Sequence, residues 1–125
     1  MSTSPLAPTT FPALPAVGGV RLASYAAGLR YQARADLMLA VVPPGSTVAG
    51  TLTKSLCPSA PVDWCRRLLP RGTARAIVCN AGNANAFTGR AGETAARRTA
   101  ETIAAALDLA PDEVLLASTG VIGEN

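Results

Sequence analysis

The sequence predicts an α/β domain, and three observations carry that expectation. Apolar runs of strand length alternate with one long stretch of helical period. Clusters of Gly, Pro and Asn punctuate them, at "PPG" (43–45), "NAGNANAFTG" (80–89) and "STGVIG" (118–123). A 49% hydrophobic composition suffices for a core, but with only 4% aromatic residues that core must come largely from Ala and Val. At 125 residues the chain is one domain's worth, or a piece of a larger domain.

The elements follow in order. Residues 1–15 are Pro-rich and read as a flexible, extended arm; residues 16–125 hold the domain. "GVRLASYAAGLR" alternates at its start and predicts a strand from about Val20. "ADLMLAVVPPG" predicts a clearer strand, stopped by Pro43-Pro44-Gly45. "STVAGTLT" follows at once and suggests a second strand joined to it by that turn. "PVDWCRRLL" predicts a short helix with Pro61 in its first turn and Val62, Cys65, Leu68 and Leu69 facing inward. "ARAIVCN" predicts a strand whose Ile77-Val78-Cys79 run suggests burial on both faces. A helix over about 90–107 follows from the stripe Ala96, Ala100, Ile103, Leu107, with Thr88 as candidate N-cap and Gly92 weakening the first turns. Arg97 and Glu101, four apart, form a weak surface pair. "PDEVLLASTG" predicts a capped turn and a strand over 114–118. The resulting order is β-β-α-β-α-β, with 74–118 as one crossover unit.

Composition excludes several function classes. The net charge is only +3, with mixed signs and no basic run interleaved with aromatics, which argues against nucleic-acid binding. Histidine is absent, which removes Ser/His and Cys/His dyads within the chain and most zinc sites. Cys57, Cys65 and Cys79 are odd in number and lack C-x-x-C spacing, so a reduced, cytoplasmic protein is expected. Cys79, ending an apolar run, reads as a small hydrophobe rather than a nucleophile. No apolar run is long enough to cross a membrane, and the N-terminus lacks the basic region of a signal peptide.

Two loops are candidates for chemistry. If the strands before them are parallel, both emerge at the same edge of the sheet, where α/β proteins place ligands. The three amides of "NAGNANAFTG" (Asn80, Asn83, Asn85) suit a sharp, internally braced turn. A phosphate cradle is the weaker reading, because neither glycine-rich phosphate motif nor a nearby lysine is present. In "STGVIG", Gly120 leaves its backbone N–H open to approach and Thr119 adds a hydroxyl donor, a pair able to form an oxyanion hole. On turn chemistry alone, an ordinary glycine turn accounts for the same residues.

Together, "RAIVCNAGNANAFTG", the helix after it and "EVLLASTGVIGE" resemble the α-chain of the ornithine acetyltransferase family, also described as bifunctional glutamate N-acetyltransferase. "ADLMLAVVPPGSTVAGTLTKSLCPSAPV" is similar to an upstream stretch of that family, so the resemblance runs from about residue 15 to the last. Ala81 stands where the family usually has Ser, Leu52 where it has Phe, and Ser55 where it has Asn.

The resemblance implies a mixed sheet with packed helices, the N-terminal part of a fold of N-terminal-nucleophile type. It implies a precursor that cuts itself before a threonine, whose free α-amine then serves as general base for its hydroxyl. The acetyl group would pass from N-acetylornithine to that threonine and then to glutamate. Thr119 and Gly120 fall on the family's oxyanion-hole pair, and Asn83 and Asn85 would brace the wall beside it. No cofactor is implied, and acetyl-CoA as a co-substrate of the full enzyme is left open. The partner would be a nucleophile-bearing β-chain in an α2β2 assembly. The self-cleavage motif lies beyond residue 125, so the chain reads as an N-terminal part, inactive in isolation. Two rival readings stand beside this: a non-catalytic scaffold that kept the fold, and a small-molecule or nucleotide-binding α/β domain using the Asn/Gly loop.

Overall fold

A computed structural model describes residues 5–124; Met1–Ser4 of the Pro-rich arm and Asn125 lie outside the described residues. Residues 5–16 carry no helix or strand and are mostly exposed. The elements are β1 (Arg21–Tyr25), β2 (Leu37–Val41), α1 (Ala60–Leu68), a 3-10 turn (Leu69–Arg71), β3 (Ala76–Asn83), α2 (Gly89–Leu107), a second 3-10 turn (Pro111–Glu113) and β4 (Val114–Val121). One sheet runs in the order β1-β2-β3-β4, antiparallel at β1/β2 and β2/β3 and parallel at β3/β4. With "STVAGTLT" left out of the count, the expected β-β-α-β-α-β order holds, and α2 is the crossover that makes the last pair parallel.

One strand expectation fails. "STVAGTLT" is not a strand: only Thr47 makes an isolated bridge, to Thr73. The reason is edge availability. β2 is already paired on one side with β1 and on the other with β3, so no edge remains for a hairpin partner after Pro43-Pro44-Gly45. The chain instead runs beside the approach to β3, where Val42 N–H donates to the Arg75 carbonyl at 2.9 Å and Val48 N–H to the Gly72 carbonyl at 2.9 Å.

The register sorts the sheet into rows. Val41, Ala76 and Val114 form one row and Leu39, Val78 and Leu116 the next; Ala76, Val114, Leu39, Val78 and Leu116 pack with the buried face of α2. The buried stripe of α2 is Gly92, Ala96, Ala100 and Ala104. Ile103 and Leu107, expected in that stripe, are only half-buried at its margin. Residues without side chains beyond Cβ let the helix backbone lie close on the sheet, which is how a core of small residues reaches normal packing density. Burial on both faces of β3 is partial: Val78 is buried under α2, whereas Ile77 and Cys79 on the opposite face are half-buried.

Helix α1 protects the outer edge of β4. In a parallel strand each residue directs its N–H and C=O to the same side, so alternate residues of an edge strand face away from the sheet. On β4 these include Val114 and Leu116, and α1 supplies their partners. Trp64 Nε1 donates to the Val114 carbonyl at 2.8 Å. The Cys65 thiol donates to the Leu116 carbonyl at 3.2 Å and accepts the Leu116 N–H at 3.4 Å. Burial pushes the Cys65 thiol pKa up despite the opposing pull of that N–H, which keeps it protonated and able to donate. Pro61, Cys65 and Leu68 are the buried residues of α1; Val62 is half-buried, and Leu69 belongs to the 3-10 turn that follows.

At the other side of the sheet, Asp36 precedes β2 and is 3% exposed, the one buried charged side chain among the described residues. Its carboxylate accepts the N–H groups of Ala27 (2.6 Å) and Leu29 (2.7 Å). Burial alone would raise its pKa, but the surrounding backbone N–H groups outweigh it and hold the carboxyl below the ordinary aspartate value.

Two outcomes are expected. Trp64→Phe strands the carbonyl of Val114, which is fully buried, and should lower unfolding stability in denaturant titration by about 1–3 kcal/mol. Asp36 stabilises the fold as the carboxylate, so its contribution is complete above the ordinary value of 3.8 and is lost as pH falls below that through the depressed folded value. Thermal unfolding across that acid range should therefore fall more steeply for the native chain than for Asp36→Asn.

Candidate functional site

The parallel pairing brings both candidate loops to one corner, and it does so further along the chain than expected. β3 and β4 stay in register past Asn80–Ser118, through Ala81–Thr119 and Gly82–Gly120 to Asn83–Val121. Thr119 and Gly120 are thus strand residues rather than loop residues, as are Asn80 and Asn83. The strands continue because glycines face each other across the ladder. Gly82 and Gly120 adopt φ of +123° and +134°, conformations that L side chains rarely adopt. A Cβ on Gly120 would collide with the Gly82 carbonyl group and the Asn83 nitrogen.

Thr119 and Gly120 are both exposed. Ala84 N–H donates to the Val121 carbonyl at 2.9 Å, so Val121 faces the β3 side. Gly120, just before it, leaves the regular strand conformation at φ +134° and is exposed. The bonds from α1 to that edge reach Leu116 and no farther among the described residues. Thr119 lies across from Ala81 on the face away from α2.

The asparagines brace the corner. Asn80 donates to the Asn83 carbonyl (3.0 Å) and accepts the Ser118 hydroxyl (2.5 Å), tying β3 to β4. Asn83 accepts the Asn85 N–H (2.6 Å) and donates to the Glu124 carbonyl (3.0 Å). Asn85 accepts the Thr88 hydroxyl (2.8 Å) and donates to the Gly92 carbonyl (3.0 Å). Each amide thus uses both its oxygen and its nitrogen within the corner, which is the bracing role read from the sequence. Thr88 precedes α2 as expected, but makes no side-chain cap bond; its hydroxyl goes to Asn85 instead. Gly92 makes that possible, because a Cβ there would collide with Thr88 Oγ1 and Asn85 Oδ1. The glycine that weakens the helix start in isolation is required by the packing over it.

A cavity of about 340 Å³ opens beside this corner, between α2 and the sheet. Leu37, Val78 and Leu116 line its floor, and Asn80, Asn83 and Ser118 line its polar end. Thr119 and Gly120 are not among its lining residues. Burial pushes the Cys79 thiol up, away from the thiolate a nucleophile needs. Among the described residues no group of three His, Cys, Asp or Glu side chains is placed to hold a metal, and no helix is long and apolar enough to cross a membrane.

Sequence reasoning missed three contributors. Asp36 reads only as part of the "ADLMLAVV" stretch, and Arg30 carries no motif; both meet the corner through the fold, where Arg30 pairs with Glu124 at 2.6 Å. The third, Gly82, was legible as a turn former but not as the partner of Gly120.

Comparison with known proteins bears on the fold and the family. Residues 21–125 match the model of the ArgJ family. The arginine biosynthesis bifunctional protein ArgJ of Bradyrhizobium diazoefficiens is 56% identical over 123 residues, covering 98% of this chain and 30% of that protein. The protein of the same name from Brucella suis is 57% identical, again over 98% of this chain and 30% of its own length. The chain therefore spans about a third of the length of the curated relatives it matches. Among solved structures, ornithine acetyltransferase of Mycobacterium tuberculosis, in complex with ornithine, superposes with a TM-score of 0.83 at 38% identity, over 86% of this chain and 59% of that one. ArgJ of Bacillus halodurans superposes with a TM-score of 0.81 at 28% identity, over 86% and 56% of the two chains. A mixed sheet with packed helices, a glycine-paired parallel edge and a matching family model lead to one conclusion: the chain belongs to the ArgJ family.

Proposed function

We propose that this chain supplies the oxyanion-stabilising part of an acetyltransferase of arginine biosynthesis, one that moves acetyl from N-acetylornithine to glutamate. The observation that carries the reading is the exposed end of β4, where Thr119 and Gly120 adjoin each other next to the asparagine-braced corner. Such donors act when they are already aimed at the place where charge develops. The bonded amides of Asn80, Asn83 and Asn85 hold the surrounding backbone in place, which favours that preorganisation.

The nucleophile belongs to a companion polypeptide. In this scheme the N-terminal threonine there attacks the acetyl carbonyl of N-acetylornithine, and its own α-amine takes the hydroxyl proton. The carbonyl oxygen becomes an oxyanion, held by Gly120 N–H and Thr119 O–H. Collapse of the tetrahedral adduct breaks the C–N bond; ornithine leaves with a proton, and acetyl-threonine remains. The amine of glutamate then attacks that ester through the same hole, forming N-acetylglutamate and restoring the threonine. Release from a self-cleaving precursor and assembly as α2β2 belong to the same reading, as does a soluble cytoplasmic setting.

The nucleotide-binding alternative loses ground because the three amides already bond within the corner. The scaffold alternative is separated by experiment. The chain produced together with the threonine-bearing polypeptide should transfer acetyl from N-acetylornithine to glutamate, and the chain alone should not. Thr119→Val should lower kcat by about 10²–10³-fold, the usual effect of losing one oxyanion donor. Full activity in Thr119→Val, or transfer by the isolated chain, would overturn the reading.

A further inference from the structure

We propose that Asp36 is a positioning residue for the Gly82–Gly120 corner, acting by locking segment 26–35 onto the end of β3 so that Arg30 covers Gly82 and grips Glu124. The argument begins with chemistry. An isolated buried carboxylate is costly unless several donors meet it. Asp36 meets that condition by drawing the Ala27 and Leu29 N–H groups around itself, which folds "AAGL" back over the sheet. Its main chain completes the attachment. Asp36 N–H donates to the Tyr25 carbonyl at 3.1 Å, and Ala81 N–H donates to the Asp36 carbonyl at 2.8 Å. One residue thereby joins the end of β1, the loop and the last turns of β3.

That attachment decides where Leu29 and Arg30 stand. Leu29 lines the cavity beside α2. The Arg30 Cβ lies where a side chain on Gly82 would point, 3.0 Å from a Cβ built there. Its guanidinium donates to Glu124 at 2.6 Å, and the Glu124 carbonyl accepts Asn83 Nδ2 at 3.0 Å. Asp36 holds Leu29, the adjacent Arg30 lies over Gly82 and pairs with Glu124, and Glu124 bonds Asn83, so these contacts flank Gly82, whose register partner is Gly120. The salt bridge is surface-exposed, so by itself it contributes little; its use is to fix a direction, and the buried carboxylate anchors it. A misplacement of about 1 Å far from the chemistry can cost about 100-fold in rate, so an anchor at this distance has catalytic leverage.

The inference rests on the proposed function for its catalytic consequence, but not for its structural one, and two measurements separate them. The first follows backbone amide resonances in the ¹⁵N-labelled chain. Asp36→Asn keeps the shape but sets an NH2 group against the N–H of Ala27 or Leu29. It should shift Arg30, Gly82, Asn83 and Gly120 along with the loop, while Asp63→Asn, a surface control, should leave those four in place. Shifts confined to residues 26–30 would overturn the proposal. If Asp36→Asn does not fold, Arg30→Ala must still move Asn83 and Gly120 while sparing Ala27 and Leu29; unmoved signals at Asn83 and Gly120 are equally fatal. The second measurement uses the chain assembled with its companion polypeptide. Asp36→Asn should lower kcat about tenfold or more with little change in KM, the pattern of a disturbed transition-state contact. Unchanged kcat overturns the positioning role. Absence of acetyl transfer in the unmutated assembly instead counts against the proposed function and leaves the resonance test to decide this one.

Discussion

The parallel pairing of β3 with β4 is the constraint on which the rest of this molecule depends. Two parallel strands cannot be joined by a tight turn, so the chain must cross over, and α2 is that crossover. The crossover sets α2 against one face of the sheet, and the short rise of an Ala-lined helix over Ala76, Val78, Val114 and Leu116 builds the core. It also leaves β4 as an outer strand. Its outward groups need partners, and α1 exists where it does because Trp64 and Cys65 provide them. Fold and packing thus follow from one pairing, and so does the place where the protection ends.

Among the described residues the bonds from α1 to β4 end at Leu116. Thr119 and Gly120 lie past the last bond from α1, and both are exposed. Keeping strands paired up to that point requires backbone geometry that only glycine tolerates cheaply, and the ladder places two glycines opposite each other to achieve it. Strain of this kind needs a rigid surround. Three asparagines, each bonded through both ends of its amide, supply one side of it. Asp36 and the segment wrapped around it supply the other. Rigidity here comes from polar groups saturated locally, since the small apolar residues beside them offer little interlocking surface.

Much of this is legible in the amino-acid sequence. The strand runs at 37–41 and 76–79, the short helix after Pro61 and the long helix ending at Leu107 follow from period and punctuation. The density of Asn and Gly at 80–89 marked the corner, and the resemblance attached Thr119 and Gly120 to it. What stayed hidden depended on partners distant in sequence. "STVAGTLT" has strand composition, yet β2 had no edge left to receive it. Gly92 looked like a weakness in a helix, yet Thr88 and Asn85 occupy the space its side chain would need. Asp36 lies in "ADLMLAVVPPG", a stretch that resembles the family, yet its role stayed hidden because its donors are backbone groups that any sequence possesses.

By itself, then, the amino-acid order determined the periodicities, the breaks between elements and the local chemistry of two loops, since these arise from neighbours within a few residues. Which strand ends met, which edge was left open and which carboxylate became buried were decided only when segments far apart in the chain came together. Those choices depend on which backbone groups still lack a partner after the sheet has formed, and no local stretch of sequence records that.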